Sequence, residues 1–168
     1  VLGTAQDAGL PHIGCRKENC EQARAKNRRE RVTALGVRGQ TGWWLLDATP
    51  DLPSQIHRMG EQPKGIFLTH AHIGHYAGLI HLGREVIGAN GVPVYAMPRM
   101  EKFLRTQGPW SQLVGLKNIA LQPMRDGHAF ALNKRLRVTP FLVPHRDEFS
   151  ETVGFQIEGP RQKILWLP

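Results

Sequence analysis

Cysteine is almost missing from this chain. Cys15 and Cys20 are the only two in 168 residues, and a pair five apart does not make a disulfide framework. The fold must therefore rest on a buried core, and the length suits one domain spanning 1–168. Long apolar runs are missing too. None approaches the ~20 residues that cross a bilayer, so no membrane span is expected. No signal peptide is legible, and the first residue is not methionine. Val1-Leu2-Gly3 reads as the end of a first strand, so further residues, or a removed leader, are expected before it. That leaves two compartments: the cytoplasm, or export after loss of a leader. Aromatics make up 7%, and none interleaves with the basic cluster Arg24, Lys26, Arg28, Arg29 and Arg31. The cluster reads as the solvated face of a surface helix and not as a stacking platform for single strands. Acidic residues are outnumbered, 14 against 22 Lys and Arg, for a formal charge of +8. That balance favours anionic partners. The expectation is a small, anionic substrate, with nucleic acid disfavoured.

Histidine is where the chain is rich. Thr69-His70-Ala71-His72-Ile73-Gly74-His75 holds three of the eight histidines and follows the apolar run Gly65-Ile66-Phe67-Leu68. On extended backbone, residues two apart point to the same side, so His70 and His72 can converge on one ion. His75 then opens a helical stretch. Neutral imidazole is the commonest metal ligand near pH 7, and three of them suit a catalytic zinc with an open fourth position.

The remaining pattern mixes strands and helices. Gly3 to Gly14 reads as a loop, and Asn19 as the N-cap of a helix from about Cys20 to Glu30. Strands are expected at Val32–Val37, Trp43–Leu46, Ile66–Leu68 and Val92–Ala96, with helices at Pro53–Arg58 and Arg99–Thr106. A run of strands follows at Ile119–Leu121, His128–Leu132, Leu136–Phe141, Val153–Ile157 and Ile164–Leu167. Such mixing indicates a layered α/β domain. No repeat or linker interrupts it.

His70-Ala71-His72-Ile73-Gly74-His75 resembles the HxHxDH signature of the metallo-β-lactamase superfamily, with Gly74 in the aspartate position. Asp47, closing the strand Trp43-Trp44-Leu45-Leu46, resembles the acidic residue that supports the histidine loop. His145, in Val143-Pro144-His145-Arg146, resembles the next metal-binding histidine. Leu2-Gly3-Thr4-Ala5-Gln6-Asp7-Ala8-Gly9-Leu10-Pro11, with Gly14-Cys15 and Cys20, is similar to the start of the coenzyme PQQ synthesis protein B branch. His145 to Phe155 resembles that branch more closely still. The cyclic phosphodiesterase of phosphonate breakdown shares the N-terminal layout, including a cysteine-bound structural zinc. The resemblance implies a four-layer αβ/βα sandwich whose bridging aspartate and final histidine would lie beyond Pro168. The chain is therefore expected to supply the first half and the start of the second, as a truncated domain. A half-sandwich would expose an apolar sheet face, which makes a homo-oligomer the expected assembly.

The implied ligands are His70, His72 and His145, with water in the fourth position. Zinc can bring that water's pKa from 15.7 to ~7 and can polarise a carbonyl or phosphoryl oxygen. One ion is expected before two, because Gly74 brings no carboxylate; iron and manganese are the alternatives to zinc. His75 remains as a ligand for a second metal or as a proton shuttle. Asp47 reads as a carboxylate that fixes a ligand's tautomer, or else as an N-cap or turn residue before Pro50. Cys15 and Cys20 are either free thiols or, with His12, part of a structural metal site. The relatives carry a further cysteine where this chain has Arg16 and Lys17. Arg146, Asp147, Glu148 and Ser150 follow a ligand and are candidate substrate contacts. The first functional expectation is a metal-dependent hydrolase acting on an ester, phosphodiester or lactone-type bond. The alternatives are an oxidative, iron-dependent role in PQQ biosynthesis, or a catalytically incomplete fold retained for binding.

Overall fold

The computed structural model describes residues 1–168. Two sheets stack on each other, and helices cover the outer face of the first. The first sheet contains β1 (Leu35–Gly39), β2 (Gly42–Leu46), β3 (Ile66–Phe67), β4 (Val92–Ala96) and β5 (Ile119–Pro123), in that spatial order. β1 and β2 form an antiparallel hairpin, and every later pairing is parallel. The second sheet is an antiparallel meander of β6 (Phe130–Asn133), β7 (Leu136–Leu142), β8 (Val153–Glu158) and β9 (Lys163–Trp166). The helices are α1 (Glu18–Ala25), α2 (Leu52–Met59), α3 (Ile73–Tyr76), α4 (Pro98–Thr106) and α5 (Trp110–Gly115), with a 3-10 stretch over Ala77–Leu82.

β2 and β3, inside the first sheet, are buried on both faces, which is why they read as unbroken apolar runs. Strand period sorts the side chains. Trp43, Leu45, Ile66 and Leu68 pack under the helices with Leu79, Leu82, Met100 and Leu104. Trp44, Leu46 and Phe67 point the other way, into the second sheet's Val138, Val153, Phe155 and Ile157. Phe67 sits at the centre of this interface. Its ring stacks on Tyr95 at 4.1 Å and meets Phe155 edge-on at 5.7 Å. The far face of the second sheet is less covered: Leu165 and Leu167 are exposed.

Three sequence expectations need correction. α1 runs Glu18–Ala25 behind Lys17, not from about Cys20 to Glu30 behind Asn19. Asn27 adopts a left-handed φ of 49°, and the Arg28 N–H turns back to the Ala23 carbonyl at 2.8 Å, which closes the helix early. Arg28, Arg29 and Arg31 therefore lie beyond α1 and bond Glu30, Asp51 and Ser54 respectively. The Gly3–Gly14 segment is not a free loop. It bridges the 30–34 stretch at Gly3–Ala34, Ala5–Val32 and Leu10–Glu30, and this lays the N-terminus along the first sheet's edge. Six residues of helix, α5, fall where no helix was read. By contrast α2 is close to its expected span, stopped by Gly60 at a φ of 80°.

Candidate metal centre

The site forms where the two sheets meet at the ends of their strands. β2 and β3 run parallel, so Asp47 and Thr69, just past the two strand ends, face each other. Asp47 is fully buried and holds a left-handed φ of 67°. That conformation is uncommon outside glycine and tolerable for aspartate. It turns the carboxylate into the histidine loop. The Thr69 N–H donates to Asp47 Oδ1 at 2.8 Å, and the Thr69 hydroxyl donates to the same carboxylate at 2.9 Å. Thr69 Oγ1 then accepts from His70 Nδ1 at 2.9 Å, while Asp47 Oδ2 accepts from His75 Nδ1 at 2.8 Å. This network fixes both tautomers and leaves the Nε2 of each ring free.

The second sheet contributes the connection from β7 to β8, which carries His145. That segment is tied down at several points. Ala71 N–H donates to Ser150 Oγ at 2.8 Å, and Val153 N–H to the Thr69 carbonyl at 3.1 Å. Glu151 accepts the Arg99 N–H at the start of α4 at 3.0 Å, filling an otherwise unpaired helix-end donor. Glu148 accepts from His72 Nε2 at 2.9 Å, so His72 presents Nδ1 inward.

Three ring nitrogens converge as a result. His72 Nδ1 lies 2.8 Å from His70 Nε2 and 3.2 Å from His145 Nε2. One ligand atom from each of the three falls within 4.8 Å of the others. Lone pairs gathered this closely, with the outward N–H of His70 and His72 each anchored, match the donor set of a divalent ion of zinc type. Burial, followed by the neighbouring His75, His72 and His145 rings and the Arg146 guanidinium, pushes His70 down to about 3. The ring is therefore neutral at pH 7 and fit to ligate. His75 behaves oppositely. Burial pulls its pKa down, but the Asp47 carboxylate and then Asp7 outweigh burial and raise it. The hydrogen bond from His72 holds Glu148 below the usual carboxylate range. The trio opens on a cavity of about 510 Å³, which His75, Asp7 and Arg146 also line.

His70, His72 and His145 are thus brought together, and His75 stands beside them without joining the trio. Asp47 acts on the loop through Thr69 and His75, and it is Asp51, not Asp47, that occupies the N-cap of α2. Of the candidate substrate contacts, Glu148 bonds His72 and Ser150 holds the Ala71 backbone. His12, Cys15 and Cys20 do not converge as a ligand trio. His12 Nδ1 turns to the Ile13 carbonyl at 2.8 Å, and only its backbone N–H approaches Cys20 Sγ, at 3.4 Å. The backbone at Lys17 and then the Cys20 side chain lower the Cys15 thiol's pKa. Thr69 and Asp7 were given no role from sequence. Thr69 directly precedes the first histidine, which was a usable signal; Asp7 is 67 residues from the loop it meets.

Residues 42–168 match the beta-lactamase superfamily domain. Over its whole length the chain is 28% identical to the coenzyme PQQ synthesis protein B of Xanthomonas campestris pv. campestris and spans 64% of that protein. It is 25% identical to the same-named protein of a Methylobacterium strain, again spanning 64%. Among solved structures, Zn(2+)-bound PqqB from Methylobacterium extorquens superposes with a TM-score of 0.83 at 24% identity, covering 99% of this chain and 63% of that one. A diphosphatase from the PhnP family gives a TM-score of 0.71 at 26% identity, covering 94% of this chain and 60% of that one. The chain therefore spans just under two thirds of these relatives.

Proposed function

Because the chain belongs to the beta-lactamase superfamily, we propose that it is the metal-holding part of a hydrolase. Its substrates would be small anionic molecules with an ester, phosphodiester or lactone-type bond. The observation that carries this reading is the convergence of His70 Nε2, His72 Nδ1 and His145 Nε2 on one side of an open cavity. These three residues would hold one divalent ion, zinc before iron or manganese. When bound, such an ion polarises a carbonyl or phosphoryl oxygen and activates a water. The chain's own residues do the rest. Asp47 and Thr69 lock His70, and Glu148 locks His72. Arg146 lines the cavity and places a cation beside an incoming anionic group. His75 keeps Nε2 free for a proton or a cation.

The test is metal content in purified protein. Plasma emission spectroscopy is expected to find a retained equivalent in the wild type and none in His70→Ala or His72→Ala. Unchanged content in both variants would overturn the assignment. Turnover of aryl ester and phosphodiester reporters then reads out the reaction class. A second reading has its own support, since the similarity to coenzyme PQQ synthesis protein B covers 100% of this chain. On that reading the ion is ferrous iron and the chemistry oxidative; oxygen uptake with iron, absent with zinc, separates the two.

A further inference from the structure

Of the trio, His70 is buried and His72 half-buried, but His145 stands on an exposed connection. A ligand in that position needs something to hold it in place. The base of the β7–β8 connection is closed by the Val143 N–H, which donates to the Thr152 carbonyl at 3.1 Å. Its tip is gripped from the first sheet's side, by α4. The Arg99 guanidinium donates to the Asp147 carbonyl at 2.7 Å. The backbone N–H of the same residue donates to Glu151 at 3.0 Å. The Thr152 hydroxyl then fastens the Asp147 side chain, at 2.9 Å to Oδ1. One turn further along α4, Phe103 meets Phe149 with ring centroids 5.8 Å apart. Arg99 and Phe103 are four residues apart, so one face of α4 holds the connection with a cation and a ring.

The carbonyl that Arg99 holds is well placed to matter. Asp147 lies two residues after His145 and one before Glu148, the residue that locks His72. A displacement at Asp147 therefore reaches two of the three ligands. A guanidinium N–H on a carbonyl is a charge-assisted bond, stronger than a neutral one. Lys102 lines the same groove of about 270 Å³ with Arg99 and Phe149, yet it takes no part in these bonds.

We propose that Arg99 is a positioning residue for the metal: its guanidinium holds the β7–β8 connection in the form that brings His145 to His70 and His72. This rests on the trio being a metal site, as proposed above. Arg99 touches no ion itself and acts through the Asp147 backbone.

The sign of one substitution separates this role from simple electrostatics. Arg99→Met keeps the hydrocarbon stem and removes the donors and the charge. Removing a cation near a cation site would, by Coulomb repulsion alone, tighten zinc. Positioning predicts the reverse, a fall of roughly tenfold, within the usual range for loss of a ligand's support. Competition with a chromogenic chelator reads the affinity, and calorimetry of the metal-free protein reads the fold. Arg99→Met is expected to weaken zinc at an unchanged metal-free Tm, because the backbone bond to Glu151 survives. Arg99→Lys, which keeps a charged donor, is expected to recover part of the loss. Lys102→Met is expected to bind zinc no more weakly than the wild type. Undiminished affinity in Arg99→Met would overturn the positioning role and leave the trio standing. So would an equal loss in Lys102→Met, or a loss matched by a lower metal-free Tm. A wild type that binds no zinc would overturn the trio, and this role with it.

Discussion

At the scale of single residues, Thr69 holds the site together more than any group outside the ligand set. Its hydroxyl donates to Asp47 and accepts from His70, so one oxygen passes the orientation of a buried carboxylate to a ligand. Thr69→Val keeps the volume and removes that oxygen. Zinc affinity is expected to fall roughly 10–100-fold, the usual loss when a ligand's supporting partner is removed. Thr69→Ser, which keeps the hydroxyl, is expected to restore most of it. A competition titration with a chromogenic chelator measures both, and unchanged affinity in the valine variant would count against the relay. The convergence of His70 and His72 was legible because alternation along extended backbone is a local rule, whereas His145 was placed beside them only by the family resemblance. The fates of Glu148 and Asp7 were not, because each meets its partner across a distance that spacing does not encode.

Among the elements, β3 matters most relative to its length. It has two residues in the ladder, yet Ile66 feeds the helix-side core and Phe67 the inter-sheet core. Phe67→Ala is expected to lower stability by about 3–5 kcal/mol, typical for a fully buried phenylalanine. Urea unfolding of the metal-free protein measures this. A loss below ~1 kcal/mol would mean that Tyr95, Phe130 and Phe155 repack across the gap. β2, β3 and β4 were readable in the sequence because strands buried on both faces are apolar without a break. α5 was not, since Trp110–Gly115 is too short to establish a helical period. The N-terminal segment was missed for another reason: it pairs through isolated bridges and so carries no strand pattern.

For the whole molecule, the layered α/β class followed from the order of elements, and the stacking of two sheets explains why the site lies between them. His70 and His72 follow a strand of the first sheet, whereas His145 belongs to the second. An ion held by all three therefore ties the sheets together. Zinc at a hundredfold excess over its Kd is expected to stabilise the fold by about 2.7 kcal/mol, roughly 5–10 °C in Tm for a domain of this size. His145→Ala is expected to lose that shift while keeping the metal-free Tm, because His145 is an exposed loop residue. Scanning calorimetry with and without chelator checks both. The same arrangement bears on how the chain is made. The third ligand lies 73 residues after the second. During synthesis, the histidine loop emerges long before the β7–β8 connection that completes the trio. A nascent chain lacks the trio until the second sheet has docked, so an ion that needs all three histidines would be captured only after that long-range step of folding.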